Sequence, residues 1–416
     1  MKNPKSLASL AVAAALAGMA SGAVAGGFAI GTQSGSGTGN AFAGGAAAAD
    51  DASVAWYNPA AMTALPTGNS VAGALHVLKP SFKFQNTNST AAGNDGGDGG
   101  DWAYVPNAFY STSIGSNWRF GLALNVPFGL KTEYDPTWRG RASAILSDVK
   151  TVNINPSVAY KVNDVFSIGA GVSFQKLEAE LSAFTGLAAA GNLVLNADDT
   201  GYGYNVGMTI QASPNTRIGA SYRSSIKYEL EGSANFTGTA PTLFQSGARA
   251  DLEVPDSASL SLFQKLGSNW DLMLDATWTG WSTLQQLVAT RTTATGLGQQ
   301  PGSTITTIPF NWKDTWRYGL GANYKMDNQI KFRTGVALDK TPTNDVDRTP
   351  RLPDQERTWL AFGVQYKPSK TSILDFGYAH EFIKDASINQ TTAIGTVNGT
   401  FKNKADIFSV QYSQTF

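Results

Sequence analysis

Few side chains in these 416 residues could carry covalent chemistry. There are two histidines, His76 and His380, and no cysteine. The histidines lie far apart and lack ligand spacing, so a zinc site or a histidine-based triad is not supported. Each reads as a strand-surface residue. The acidic run "GNDGGDGGD", Gly93 to Asp101, holds carboxylates that could suggest calcium, but its glycines mark a flexible exposed loop. "NST", Asn88 to Thr90, matches a glycosylation acceptor and means little in a host envelope lacking that modification. No Gly-rich phosphate loop follows a strand, and no nucleophile constellation is present. The expectation is no enzyme, no metal and no cofactor.

The elements that must position those residues begin after an export signal. Lys2 and Lys5 form a positive start, Leu7 to Leu16 an apolar core, and Ala23-Val24-Ala25 a small-residue cleavage site. Residues 1–25 therefore read as a secretory signal peptide, and a retained membrane anchor is the alternative. Without its two lysines the chain carries 31 − 2 = 29 basic and 31 acidic residues, a net charge of −2. Such a balance favours no nucleic acid and no anionic surface. No later segment has 18 consecutive apolar residues, so no transmembrane helix is expected.

Period-two alternation dominates instead. In "YGYNVGMTI" the residues Tyr202, Tyr204, Val206, Met208 and Ile210 share one face, and Gly203, Asn205, Gly207 and Thr209 the other. The pattern returns at Leu360, Phe362, Val364 and Tyr366, then at Leu374, Phe376 and Tyr378. It closes the chain at Phe408, Val410, Tyr412 and Phe416. A soluble sandwich would turn the apolar face inward. An apolar face opposed by a small, polar one along the whole chain fits a transmembrane β-barrel with lipid outside and a polar lumen.

The connections alternate long and short. Six are tight: 115–117, 163–164, 213–215, 267–269, 327–328 and 368–370. Seven are long: roughly 87–101, 131–148, 183–199, 232–250, 283–309, 342–354 and 386–403. Thirteen connections predict 14 antiparallel strands, with tight turns on the periplasmic side and long loops outside. The terminal aromatic Phe416 suits delivery to a barrel-assembly machinery. The partner expected is outer-membrane lipid, for a barrel in the bacterial outer membrane.

A barrel of that size is too wide for its own side chains to fill. Residues 26–65 show no alternation and are rich in Ala and Gly. They precede the first strand and are expected to fold back as a plug of short helical turns, with Pro59 breaking one. Phe28, Phe42, Trp56 and Tyr57 argue against a solvated tail. The expected division is a signal peptide at 1–25, a hatch at 26–68 and a barrel at 69–416.

These residues carry a resemblance. Gly26-Gly27-Phe28 and "SGTGNAFAGGAAAADDASVAWYNPAAM" resemble the N-terminal hatch of the long-chain fatty acid transporter family, the FadL/TodX type. Asn58-Pro59-Ala60 is similar to that family's hatch signature. The resemblance continues through "WRGRASAILSDVKTVNINPSVAYKV", "FRTGVALD", "PDQERTW" and the last strand. It implies a 14-stranded monomeric barrel with a hatch, taking up hydrophobic compounds passively and without cofactor. It also implies a route: an apolar groove between outer loops, an internal pocket, and a sideways exit at a kink in strand 3.

Candidate residues follow. Pro127 and Gly129 in "NWRFGLALNVPFGL" cannot both serve a regular ladder, so a kink is expected there. By resemblance it is the lateral gate. Pro136 could open a helix placing Trp138, Ala142, Ile145 and Leu146 on one side, and "AFTGLAAAGNLVL" is apolar for an outer loop. The first groove is thus assigned to Trp138, Ile145, Leu146, Phe184, Leu187 and Leu193. The internal pocket is assigned to Phe28, Ile30, Asn58, Pro59 and Ala60. A fatty acid carboxylate wants a cation in a dry site. The resemblance suggests Lys176 and Lys313, and Arg333 is a further lumen cation. Lys176 shares parity with the lipid-facing Phe174, which calls for a bulge or else makes it a snorkelling interface lysine. Uptake of aromatic or aliphatic hydrocarbons, a general diffusion porin and an outer-membrane lipase are the rival functions.

Overall fold

The computed structural model describes residues 26–416. The expected signal peptide, 1–25, lies outside the described residues. Twenty hydrogen-bonded segments form one sheet, and six walls of the sheet are made of two segments each, so 20 − 6 gives 14 strands. In chain order they are β1 (Asn69–Asn86), β2 (Ala103–Ile114), β3 (Trp118–Asn125 and Gly129–Glu133), β4 (Leu146–Lys161) and β5 (Phe166–Phe184). Then come β6 (Asn192–Ser213), β7 (Thr216–Arg223 and Ile226–Phe236), β8 (Ser246–Val254 and Ser257–Leu266) and β9 (Trp270–Thr279 and Gln286–Arg291). The circuit ends with β10 (Thr304–Pro309 and Thr315–Lys325), β11 (Ile330–Asp339), β12 (Arg357–Tyr366), β13 (Ser372–Ile383 and Ala386–Thr392) and β14 (Gly395–Thr415). All pairs are antiparallel, and β1 pairs β14 from Ser70↔Thr415 to Asn86↔Gly399. Closure pairs the last strand with the first, as a sheet that spans a bilayer requires.

The alternation read from the sequence sets the walls. Tyr202, Tyr204, Val206 and Met208 on β6 are exposed, as are Phe362, Val364 and Tyr366 on β12 and Phe408, Val410 and Tyr412 on β14. In water each such side chain would forfeit roughly 1.5–3 kcal/mol of burial, so the face belongs in lipid. Trp118 lies against Tyr160 with ring centroids 4.6 Å apart, and Trp270 against Tyr324 at 4.8 Å. Both pairs flank tight turns, where an aromatic girdle is placed.

Six periplasmic turns alternate with seven outer connections in the expected order. The outer strands run further than the alternation indicated. The β5–β6 connection shrinks to 185–191, and β13 and β14 form a hairpin up to Thr392 and Gly395. Beyond the bilayer both strand faces meet water, so polar residues such as Asn196, Asp198 and Glu231 interrupt the pattern without ending the ladder.

Inside the ring, residues 26–65 form the plug. Helix α1 (Gly35–Thr38) is capped by the Ser34 hydroxyl, helix α2 (Val54–Tyr57) follows, and a 3-10 turn runs from Pro59 to Ala64. Pro59 starts this turn at the first position, where its missing N–H costs nothing. The segment packs closely because facing wall residues are glycines. A Cβ on Gly207 would collide with the Asn58 side chain, and one on Gly219 with the Ala46 carbonyl.

Candidate functional site

The ladder breaks at Val126-Pro127-Phe128. Asn125 pairs Asn153 and Gly129 pairs Lys150, so β3 uses four steps where β4 uses three. This one-residue excess is a β-bulge, favoured by a proline that cannot donate. Pairing with β2 ends at Ala108↔Leu124. Above that level Gly129–Glu133 pairs only β4, and Ala103–Asn107 pairs only β1. The wall therefore has a notch between β2 and β3.

The start of the plug occupies this notch as a short extra strand. Gly129 N donates to the Phe28 carbonyl at 2.9 Å, and Ile30 N donates to the Pro127 carbonyl at 2.8 Å. Gln33 fastens the same place, its Nε2 donating to the Ile30 carbonyl at 2.7 Å and the Val126 carbonyl at 2.8 Å. Asn125 Nδ2 donates to Gln33 Oε1 at 2.6 Å. Above, the Phe28 ring meets Trp281, Phe128 and Trp312 with centroids 5.0, 5.7 and 5.9 Å away.

Behind the notch lies a cavity of about 210 Å³ lined by Ile30, Phe42, Trp56, Pro127, Phe128, Arg223, Arg317 and Trp359, among others. That is below the roughly 300 Å³ at which small-molecule pockets begin. A long-chain ligand needs the plug to yield. Of the residues assigned to the internal pocket, only Ile30 lines this cavity. Phe28 sits in the aromatic cluster at its side. Asn58 is fully buried lower down, donating to the carbonyls of Ala46 at 2.7 Å and Met208 at 3.0 Å and accepting from Ala60 N at 3.1 Å. Asn58-Pro59-Ala60 is thus a clasp between plug and wall and not a lining of the cavity, because Gly169 and Gly207 let the wall press against it.

A second cavity, about 410 Å³, opens among the outer loops against Ala142, Leu181, Ala183, Leu193, Leu195, Ile308, Pro309, Val346 and Arg351. Leu193, assigned to the first groove, is among the residues that line it. The others assigned to the groove do not. The expected helix after Pro136 is absent, and the chain instead turns around the fully buried Trp138. That indole stacks on Tyr134 at 4.6 Å and donates to the Ala144 carbonyl at 2.8 Å, and Gly140 leaves room for the ring. Trp138 is a pillar under the loops, and Ile145 is buried beside it. Leu146 opens β4, Phe184 packs beneath Arg141, and Leu187 projects at the loop tip.

All three expected cations need correction. Lys176 points outward with Phe174 and pairs Glu178 at 2.9 Å and Asp198 at 3.3 Å, as strand parity dictates without a bulge. Arg333 is buried between Asp50 at 2.7 Å and Asp375 at 3.1 Å, so its charge is already satisfied. It ties the plug to the wall. Lys313 is exposed at the break within β10, before Thr315, and lines neither cavity. Gln33, Trp281, Trp312 and Arg223 were missed. Their partners lie far along the chain, Val126 of Gln33 at 93 positions and Trp56 of Arg223 at 167, and no local spacing announces such contacts.

The sequence model of the outer membrane protein transport protein family (OMPP1/FadL/TodX) matches residues 16–416. This chain belongs to that family. Among curated FadL/TodX relatives, the long-chain fatty acid transport protein of Escherichia coli K12 is 27% identical, with 98% of each chain covered. Outer membrane protein P1 of Haemophilus influenzae is 27% identical over 95% of this chain and 96% of its own. Among solved structures of the family fold, a Pseudomonas aeruginosa FadL homologue superimposes with a TM-score of 0.87 at 27% identity, covering 94% of this chain and all (100%) of the other. The Pseudomonas putida toluene transporter TodX shares the fold, with a TM-score of 0.70 at 16% identity over 95% and 100%. As a member of the FadL/TodX family the protein is an outer-membrane transport barrel.

Proposed function

We propose that this protein takes up hydrophobic compounds, long-chain fatty acids foremost, by passive diffusion through its plug and out sideways between β2 and β3. The observation that carries this reading is the notch, stoppered by residues 28–30 on the inner side and facing lipid on the outer. A water-filled pore offers an acyl chain no favourable surface, whereas an apolar groove, a small cavity and a lateral mouth keep it out of water throughout. The outer groove takes the ligand first. Displacement of residues 28–33 enlarges the cavity and unblocks Pro127 and Gly129 together, since both contact the same segment. Aromatic or aliphatic hydrocarbons are the alternative cargo, favoured by the shared fold with toluene transporters and by the largely apolar lining of the internal cavity.

In this reading residues 1–25 are removed on export, Phe416 addresses the chain to the assembly machinery, the barrel acts as a monomer, and no chemistry is performed on the cargo. Uptake of labelled oleate by cells that depend on this protein for it tests the function. Uptake dependent on the protein, with no large steady ionic current from the purified barrel in a planar bilayer, is expected. Large steady currents without oleate uptake would indicate a diffusion porin.

A further inference from the structure

The outside of the wall carries a block of cations just above its apolar band. Lys79, Ser81 and Lys83 of β1 share the outward face and stand opposite Asp406, Lys404 and Lys402 of β14. Four of these six positions are lysine, and Lys83 faces Lys402 directly, where like charges repel. These two pair on opposite sides of the block, Lys83 with Asp98 at 3.8 Å and Lys402 with Asp385. Asp406 is held from β13, accepting from the Tyr378 hydroxyl at 2.7 Å and lying 2.7 Å from His380 Nδ1. Lys79 and Lys404 have no carboxylate within ion-pairing distance among the described residues. The Lys79 ammonium instead lies 4.8 Å from the centroid of the Trp102 ring. Four lysines against Asp98, Asp385 and Asp406 leave 4 − 3 = 1 positive charge in excess. The outward cations of β4 to β8 differ: Lys150, Lys176, Lys227 and Arg249 each pair a carboxylate at 2.9 to 3.8 Å.

We propose that this block is a binding site for the phosphate of a glycolipid in the outer leaflet, with Lys79 and Lys404 as its centre. The two are diagonal neighbours on adjacent strands, about 7–8 Å apart at their backbones, so their flexible stems can converge on one anion. An ammonium binds phosphate as a point charge, and a phosphate between them also relieves the repulsion of Lys83 and Lys402. The surroundings select a lipid over a soluble anion. Directly below the block Val77 faces Phe408 and Leu75 faces Val410, a strip of lipid-facing wall along which acyl chains can lie. Trp102 and Phe382, 47% and 56% exposed, flank the lysines as an aromatic girdle does at the headgroup level. The block stands at the end of the barrel that carries the long loops, so the leaflet it meets is the outer one, where phosphorylated glycolipid resides. Clustered lysines at that depth are an electrostatic footprint for anionic headgroups. Trp102 immediately precedes β2, so the bound lipid stands one strand from the notch and fixes which lipid borders that opening.

The test titrates lipid onto the full mature barrel in dodecyl maltoside and reads the bound forms by native mass spectrometry. The probes are bis-phosphorylated lipid A, the same lipid A stripped of its phosphates, phosphatidylglycerol and inorganic pyrophosphate. In the wild type, bis-phosphorylated lipid A is expected to bind about tenfold more tightly than the stripped form, the scale of one charged contact. Neither phosphatidylglycerol nor pyrophosphate at equal concentration should displace it. Lys79→Gln/Lys404→Gln should bring the two forms of lipid A to equal affinity. Lys227→Gln removes a paired lysine from β7 and should leave the wild-type ratio. If the double variant does not fold, as judged by heat-modifiable gel mobility, Lys404→Gln alone carries the test, and a wild-type ratio there overturns the proposal. An unchanged ratio in the double variant, or an equal fall in Lys227→Gln, also overturns it. Displacement by phosphatidylglycerol would reduce the block to a general anionic-lipid contact, and displacement by pyrophosphate to a free-anion site; either overturns the glycolipid as occupant.

Discussion

The backbone amide of Ile30 donates to the carbonyl of Pro127 at 2.8 Å, so the plug's first residues are a strand of the barrel wall at its weakest point. The same bulge that denies β2 a partner gives residues 28–30 one. Plug position and wall integrity are coupled through two hydrogen bonds, with Gln33 as a third fastening. Restoring a regular ladder at the bulge should close the notch. Pro127→Thr with Gly129→Val supplies the missing N–H and a Cβ that would meet Ile30 Cδ1, 2.8 Å away. Oleate uptake should fall about tenfold or more, roughly 1.4 kcal/mol in barrier, with normal assembly. Unchanged uptake would place the exit elsewhere.

Arg333 is the main electrostatic anchor of the plug. It is buried between Asp50 of the plug and Asp375 of β13, with Lys331 3.7 Å from Asp50. Replacing it by Met strands buried carboxylates, which typically costs about 3–5 kcal/mol. The melting transition of Arg333→Met should drop accordingly, and adding Asp375→Asn should recover part of the loss. Equal melting of the single and double variants would show that the two residues are not coupled.

Asn58 satisfies three backbone groups at once. Asn58→Ala leaves two carbonyls and one N–H without that partner, a loss of about 1–3 kcal/mol locally. Hydrogen exchange over residues 46–62 should accelerate about five- to hundredfold, while strand amides remain protected. Uniform protection in the variant would deny Asn58 its role as a clasp.

At the outer rim Glu356 accepts from Lys340 and Lys384, each at 2.8 Å, which ties the β11–β12 loop to the break within β13. Hydrogen bonds from Lys340 and then Lys384 hold its carboxyl down to about 2, below the ordinary 4.5. A depressed carboxylate contributes stability above its unfolded value and loses it as pH falls through the folded one. Exchange in residues 340–356, corrected for its intrinsic pH dependence, should be flat from pH 7 to about 5 and rise between about 4.5 and 2. Glu356→Gln should show the fast behaviour at every pH. A rise already complete at pH 5 would contradict this.

The walls were legible because lipid and lumen impose opposite demands on alternate residues, and Tyr202 to Met208 display them in the bare sequence. The kink at Pro127 was legible because proline and glycine each fail the ladder for a stated reason. Lys176 shows parity outweighing resemblance: its register with Thr200 turns it outward with Phe174. Trp138 and Arg333 were misplaced for a different reason. Their roles depend on partners such as Phe84 and Asp50, distant in sequence, that only the closed barrel brings near. Arg223 escaped notice because a lone arginine at a strand end gains its meaning from Trp56, 167 positions away.

The central claim is that residues 28–30 must leave the notch for cargo to pass. Ala29 and Phe128 face each other as the pair flanked by the two hydrogen bonds, the closely spaced kind with Cα atoms about 4.5 Å apart. That separation suits a disulfide, and the native chain has no cysteine to interfere. Oleate uptake by Ala29→Cys/Phe128→Cys, measured oxidised and then reduced in the same cells, tests the claim directly. The account predicts that the oxidised barrel is blocked and that reduction restores uptake. Wild-type uptake by the fully oxidised barrel would contradict it.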